Sequence, residues 1–423
     1  MDEQVRRLRR GSKSSRPLGD VVIFKLSAMA WAAALAVCAA PAAASDVGFH
    51  WDGRQFVTAD GGFSLRPKGR LLLDASTTDG SAFAARNVVG DEIRALRLGV
   101  EGMVGEHLFY TAEGDFAGDK AILRGTYVAW RDRWAGKDVE LVLGNRLSER
   151  GLDGSSSSDG TPFLERNAVA LAVIPLKGFY GWGGIAKVYG GDWHVTTQVA
   201  GDDPGNLGVA KDVTTYLVRA HWNPVKSSAG VVHLGAWGFY EDFPPDLSSH
   251  SRNTPWAGHI NKEVQVPIGM LTDPVYGAGY GVELGGARGP VWGFFEAGRR
   301  VIDTRTDHVT AEATAWTAGW MITGENPAYS SRGGTFVKIG PRSPVSKGGP
   351  GAWEVAVRYQ TLDNTDAPLG GKGQEAEVGV NWRLEDWLRL MINLSHWEVT
   401  HRTGKYIGVD DGDSLAGRLQ IAF

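Results

Sequence analysis

Six arginines in this chain sit in short alternating segments and share their parity with other charged residues: Arg97, Arg219, Arg358, Arg383, Arg389 and Arg418. A guanidinium is always charged, and its planar fork of N–H donors can meet two oxygens at once, so arginines along a wetted surface suit oxyanions. The same parity carries Glu101, Glu113, Asp115, Glu283, Glu296, Glu354, Glu375 and Glu377. Opposite charges side by side on a sheet pair across strands, each pair contributing roughly 0.2–1 kcal/mol. For any one of these arginines, pairing therefore ranks ahead of ion guidance. Arg146, Arg150 and Arg166 flank or belong to a long segment, 147–177, which holds the Ser155 to Gly160 run, and for them the two roles stand level.

Other reactive constellations are weaker. Asp410, Asp411 and Asp413 could hold Ca²⁺ with loop carbonyls, but they lack the spacing of a calcium loop and read as a solvated acidic turn. His233 and His250 have no His or Cys at metal-ligand spacing, so no metal is expected. Ser148-Glu149 and Ser248-Ser249-His250 have ordinary loop composition, and no phosphate-binding Gly loop is present. Neither a catalytic site nor a cofactor is expected.

The elements that must position the arginines alternate with period two. From Trp353 to Leu362, Trp353, Val355, Val357 and Tyr359 have one parity and Glu354, Ala356, Arg358 and Gln360 the other, which is a strand with one apolar and one polar face. Similar segments are expected at 68–76, 91–103, 107–117, 121–131, 138–146, 178–189, 193–200, 214–222, 231–240, 278–287, 291–301, 311–322, 352–362, 374–384, 387–399 and 414–423. Sixteen is an even number in the range of bacterial outer-membrane barrels. Connections at 105–106, 190–192, 287–290 and 385–386 are tight, whereas 147–177, 241–277 and 400–413 are long; 323–351 is long as well and breaks the alternation. Trp130, Trp134, Trp182, Trp222, Trp387 and Trp397 fall near strand ends, where an interfacial girdle would need them, and the chain closes on Phe423.

With 423 residues and a mean hydropathy of −0.19, the chain is too polar for a helical membrane bundle. Its single long apolar run, Leu26 to Ala44, follows a basic stretch and ends in Ala42-Ala43-Ala44, so residues 1–44 read as a signal peptide, with a basic region long enough that the true start could lie near Val21. Residues 45–67 are then a lead-in and 68–423 the barrel. The mature part has 37 basic and 45 acidic residues, a formal charge of −8, a poor match to nucleic acid, and it has no cysteine and hence no disulfide.

At Thr323-Gly324-Glu325-Asn326-Pro327-Ala328-Tyr329, Gly349-Pro350-Gly351-Ala352-Trp353-Glu354, Arg358-Tyr359, Gly379-Val380-Asn381-Trp382 and Arg389-Leu390-Met391 the sequence resembles the phosphate-selective porin O and P family. Weaker matches are Phe163 to Arg166, Gly201-Asp202-Asp203, Gly289-Pro290 and Arg418-Leu419-Gln420. The resemblance implies an all-β, sixteen-stranded, trimeric transmembrane barrel of the Gram-negative outer membrane, with its third extracellular loop folded inward as a constriction and basic residues guiding small anions such as phosphate. Parity and the position of the 147–177 loop make Arg146, Arg150, Arg166, Arg97, Arg358, Arg383, Arg389 and Arg418 the candidates for that pathway. After the fifth strand, Gly144-Asn145-Arg146-Leu147-Ser148-Glu149 departs from the family's Gly-Gln-x-Lys-x-Pro-like run: a basic residue stands at Arg146 but the proline is missing. The leading expectation is a passive anion porin in contact with outer-membrane lipid. The alternatives are a weakly selective nutrient porin and, in another class, a secreted or periplasmic β-rich binding protein.

Overall fold

The computed structural model describes residues 48–175, 179–202 and 213–423; the expected signal peptide lies outside the described residues. Sixteen antiparallel strands form a closed barrel: β1 (Ser64–Asp79), β2 (Val89–Val104), β3 (Leu108–Asp115), β4 (Thr126–Trp134), β5 (Lys137–Leu147), β6 (Tyr180–Tyr189), β7 (Trp193–Ala200) and β8 (Thr214–Lys226). The other half is β9 (Gly230–Asp242), β10 (Pro274–Arg288), β11 (Val291–Thr304), β12 (His308–Met321), β13 (Ala352–Asp363), β14 (Gly371–Arg383), β15 (Leu388–His401) and β16 (Gly408–Ala422). Each strand pairs with its sequence neighbour, and β16 closes on β1 through Ala422↔Arg70 to Asp413↔Asp79. The ring is sealed at its seam where Gly69 and Phe423 exchange backbone hydrogen bonds of 3.1 and 3.0 Å. A Cβ on Gly69 would lie 2.4 Å from the Phe423 ring, so the terminal aromatic needs a glycine opposite it. No sheet edge is left open between β1 and β16.

Period two decides which way each residue faces. On β13, Val357 and Tyr359 point outward and are exposed, while Glu354, Ala356, Arg358 and Gln360 point inward and are buried. All sixteen expected segments coincide with barrel strands. Trp130, Trp134, Trp182, Trp222 and Trp387 face outward as a girdle would, but Trp397 does not: its parity is that of Asn393 and Ser395, and it is completely buried inside the barrel. The acidic turn expected at 410–413 is also different. Strand β16 starts at Gly408, and Asp410 is a buried strand residue paired with Arg86 at 2.6 Å and with the Ser81 hydroxyl at 2.7 Å.

The interior is filled from both ends. The β5–β6 connection carries two helical turns, Leu152–Ser155 and Ala168–Ala172; the β9–β10 connection carries a hairpin, Ser249–Pro255 with Gln265–Thr272. The irregular connection at 323–351 leaves from the end where the other turns are tight. It turns into the barrel and meets the β5–β6 loop there, Phe336 N donating to Ser156 Oγ at 2.7 Å. These segments dock on an apolar patch of inward side chains, which a polar-inside rule does not foresee. Trp237, Phe239 and Trp397 pack with Val169 and Val173 of the first loop and Trp256, Val264 and Val266 of the hairpin loop. Trp292 and Phe294 pack with Leu152, Phe163 and Phe336. Strand β10 makes room with glycines: a Cβ on Gly281 would lie 2.5 Å from the Trp237 ring, and one on Gly279 2.4 Å from Phe239. Each buried aromatic contributes about 1.5–3 kcal/mol to holding the inserts in place.

Candidate permeation pathway

On β6 the inward Lys187 is 2% exposed and paired with Glu149, whereas the inward face of β1–β5 carries half-buried cations. There β1 presents Lys68 and Arg70, β2 Arg97 and Glu101, β3 Glu113 and Asp115, β4 Arg131, and β5 Glu140 and Arg146. The charges are laced together: Arg97 Nε donates to Asp115 at 2.9 Å, Lys68 lies 3.2 Å from Glu113, and Glu140 takes Arg131 at 2.8 Å and Arg146 at 2.5 Å. Arg146 also stacks on Tyr127 at 4.8 Å and Arg131 on Phe109 at 4.1 Å, which fixes both guanidinium planes against the wall. Although each cation has an acidic neighbour, the two signs are not equally presented. The side chains of Lys68, Arg70, Arg97, Arg131 and Arg146 keep 17–42% of their surface exposed, whereas those of Glu101, Glu113, Asp115 and Glu140 keep 8–18%.

Elsewhere the wall arginines hold the inserted loop. Arg358 pairs with Glu377 at 2.5 Å and donates to the Glu165 carbonyl at 3.1 Å, its guanidinium lying 4.4 Å over Phe163. Arg418 is bidentate to Asp74, at 2.7 and 2.5 Å, and reaches the Leu164 carbonyl at 2.8 Å. Arg383 donates to the Asp159 carbonyl at 3.0 Å, and Arg389 to the Thr161 carbonyl and Asn381 Oδ1, both at 2.7 Å. Arg219 is bidentate to Glu283 at 2.9 and 2.8 Å and donates to the Gly333 and Gly334 carbonyls of the opposite insert at 2.9 and 2.6 Å. An extended loop entering a barrel leaves carbonyls without ladder partners, and a row of inward guanidiniums supplies the donors. A further group of inserted-loop contacts converges on Glu296. Its carboxylate accepts from Leu152 N at 2.7 Å, Asp153 N at 3.2 Å and Asn167 Nδ2 at 2.6 Å.

The two loop arginines divide differently. Arg166 donates to the Asp153 and Ser156 carbonyls and braces its own loop. Arg150 is 1% exposed, donates one bond of 3.2 Å to the Ala170 carbonyl, and stacks on Phe179 at 4.1 Å; its Nε and Nη1 have no acceptor. Burial, with the charges of Arg166 and Arg252 nearby, pushes its pKa well below the usual arginine range. Burial and the Arg300 charge likewise push Arg252 down to about 9.

The inserts, β1–β2 and β13–β16 enclose a vestibule of about 390 Å³, lined on one side by Leu171, Ile174 and Trp256 and on the other by Arg94, Glu375 and Asn393 among others. Of the residues expected from the sequence, Arg97 and Arg146 therefore face the exposed wall, Arg358 and Arg166 the vestibule, and Arg383, Arg389 and Arg418 the inserted loop. Lys68, Arg70 and Arg131 share parity with lumen residues on their strands, so a stricter period-two reading finds them. Arg94 does not follow: it is the extra residue of a bulge where the β1–β2 register shifts between Leu72 and Leu73, and alternation fails at a bulge.

Comparison with known proteins agrees with this architecture. The family model of phosphate-selective porins O and P matches residues 67–423. The chain belongs to this family. It is an outer-membrane channel protein of a Gram-negative bacterium, which sets aside the soluble binding-protein alternative. A Caulobacter vibrioides protein described only as uncharacterized is 27% identical over 368 residues, covering 81% of this chain and 70% of the relative. Among solved structures, OmpT of Vibrio cholerae matches with a TM-score of 0.52 at 10% identity over 86% of this chain and 98% of OmpT. The anion-selective porin of Comamonas acidovorans matches with a TM-score of 0.51 at 14% identity over 85% of this chain and 100% of that porin. At such identities these structures speak for the barrel fold alone.

Proposed function

We propose that this porin passes small anions, phosphate among them, passively along the β1–β5 wall. The observation that carries the reading is the unequal exposure of paired charges on β1–β5: in each pair the cation keeps more of its side chain exposed than the carboxylate does, so a passing ion meets guanidinium and ammonium first. An ion entering a narrow zone must recover hydration energy from the wall, and Arg97 and Arg146 offer donors already oriented by Asp115, Glu140 and Tyr127. In this reading Lys68, Arg70 and Arg131 extend the same track, Arg150 and Arg166 set the charge behind the inserted loop, and Arg358, Arg383, Arg389 and Arg418 act indirectly by fixing that loop. Phosphate as the preferred anion is supported by the family's name. A homotrimer belongs to the same proposal, supported by a Vibrio cholerae OmpT solved in a trimer form. The four acids beside the five cations of this wall favour a second reading, a weakly selective nutrient pore.

The zero-current potential of purified protein in a planar bilayer under a KCl gradient separates the two. An anion-selective potential, with the current reduced by added phosphate, supports the proposal. A potential near zero leaves the weakly selective pore, and a cation-selective one overturns the reading of the exposed cations.

A further inference from the structure

The 323–351 connection comes to rest on a stack of three histidines from adjacent strands. His194 on β7 and His221 on β8 stand directly opposite each other in the register, with their Nδ1 atoms in contact and their rings 4.5 Å apart. The His233 ring on β9 lies parallel to that of His221 at 5.5 Å. All three are buried. Two of them hold the connection: His221 Nε2 lies 3.0 Å from the Ser331 carbonyl, and His233 Nδ1 lies 2.8 Å from the Tyr329 hydroxyl, which Asn223 Nδ2 also reaches at 2.8 Å. Arg219 adds its bonds to the Gly333 and Gly334 carbonyls. The seat has no slack. Gly334 has φ of +58°, and a Cβ on it would lie 2.6 Å from His221 Cγ and 2.9 Å from His233 Cε1.

Among the described residues, the charges paired around the stack cancel. Lys187 on β6 pairs with Glu149 of the β5–β6 loop, Arg219 on β8 with Glu283 on β10 at 2.8 Å, and Arg332 of the connection with Asp138 on β5 at 2.6 Å. Glu149 also lies 3.0 Å from His194 Nε2, and Glu283 lies 2.9 Å from His233 Nε2. The other titratable neighbours are phenols, Tyr189 stacked on His194 at 5.8 Å and Tyr329 edge-on to His233. Two Nδ1 atoms in contact hold one proton between them, so His194 and His221 are not both imidazolium while the rings meet. An imidazole without such a neighbour takes its own proton near a pH of about 6.5. Parting the rings therefore takes up at least one proton in acid, and each proton taken up favours the parted state about tenfold per pH unit below about 6.5. A His221 ring pushed away from His194 moves against His233 and Gly334, and so against the connection.

We infer that the His194–His221–His233 stack is a proton-operated latch. It holds residues 329–334 against the β7–β9 wall at neutral pH and releases them in acid, which opens the lumen at the end where the turns are tight. The inference rests on the channel reading for that last consequence alone.

The test places a nitroxide spin label on Ser330→Cys in a chain that also carries Cys38→Ser, so that the label has one thiol to react with. Its spectrum should be immobile at about pH 7.5 and gain a mobile component at about pH 4.5, where one proton favours release about a hundredfold over its level at about pH 6.5. The KCl conductance of the unlabelled protein in a planar bilayer should rise over the same interval. His194→Asn, whose amide oxygen can accept from His221 Nδ1 in either state, should remove most of both changes, and His221→Asn should do the same; heat-modifiable migration shows whether each variant is folded. A label that stays immobile in acid, or is freed equally in the native protein and both variants, overturns the latch. Conduction that is equal at the two pH values while the label is freed overturns the opening. If the label is freed in a His194-dependent way but the protein conducts at neither pH, the channel reading fails and the latch stands.

Discussion

Replacing Glu296 by alanine should release the first helical turn of the inserted loop while leaving the barrel closed. Glu296 is 4% exposed and is the acceptor shared by Leu152 N, Asp153 N and Asn167 Nδ2, at 2.7, 3.2 and 2.6 Å. Hydrogen bonds to a carboxylate contribute about 1.5–3 kcal/mol each, so three bonds sum to about 4–9 kcal/mol before relaxation. Water entering the vacated space recovers part of this, leaving about 3–5 kcal/mol of lost docking. The loss should be local. Residues 159–165 remain held by Arg70, Arg358, Arg383, Arg389 and Arg418, Ser156 and Ala168 keep their bonds to Phe336 N and Gln360 Oε1, and Leu152, Asp153 and Asn167 are the residues tied directly to Glu296. Gly151 is part of the same design: it has φ of +61°, and a Cβ there would lie 2.6 Å from Glu296 Oε1. Amide hydrogen exchange of the protein in detergent is the assay. Protection at Leu152, Asp153 and Asn167 should fall by two to three orders of magnitude, by the conversion of about 1.4 kcal/mol per tenfold, with heat-modifiable migration of the barrel retained. Glu296→Gln, which keeps one acceptor oxygen, should fall between. Unchanged protection in the alanine variant would refute the assignment of Glu296 as the anchor, and loss of the folded band would show that anchor and barrel are one cooperative unit.

Further outcomes follow from the wall and the inserts. Arg97→Glu with Arg146→Glu should move the zero-current potential toward cation selectivity, because two exposed cations become anions beside Asp115 and Glu140; a potential equal to that of the native protein would remove both from the pathway. Gly281→Val should place a side chain into the Trp237 ring and cost about 1–3 kcal/mol by overpacking, read as a lower temperature of heat modification; an unchanged temperature would mean that β10 and β9 are less tightly apposed than the 2.5 Å approach indicates. His250, in the hairpin loop, is pushed down to about 2 by burial and by the charges of Arg300 and Arg252. Free of that environment it would titrate near its ordinary value of about 6.5, so below that pH the undocked loop takes up a proton that the docked loop does not. Docking should weaken by about 1.4 kcal/mol per pH unit, roughly 2–3 kcal/mol at about pH 4.5, and His250→Gln should flatten this dependence of loop protease sensitivity.

What the sequence determined is what a two-residue period can carry. Alternation at Trp353 to Leu362 and its fifteen counterparts fixes the strands, their order and the side on which Arg97, Arg358 and Arg418 project, because a one-residue error would turn charges into lipid. The family motifs at 323–329 and 349–354 then named the barrel's kind. Only the tertiary structure decided which inward residues meet water. Arg389 and Arg97 have the same parity and charge, yet one holds the Thr161 carbonyl under an inserted loop and the other faces the open wall. That difference depends on where the β5–β6 loop, the hairpin loop and the 323–351 connection come to rest. They rest on Trp237, Phe294 and Trp397, inward aromatics that period two reads as ordinary strand residues. Their meaning comes from packing with segments distant in the chain, as in the clusters that join Trp397 with Val169 and Phe294 with Leu152, and alternation along one strand holds no information about those partners.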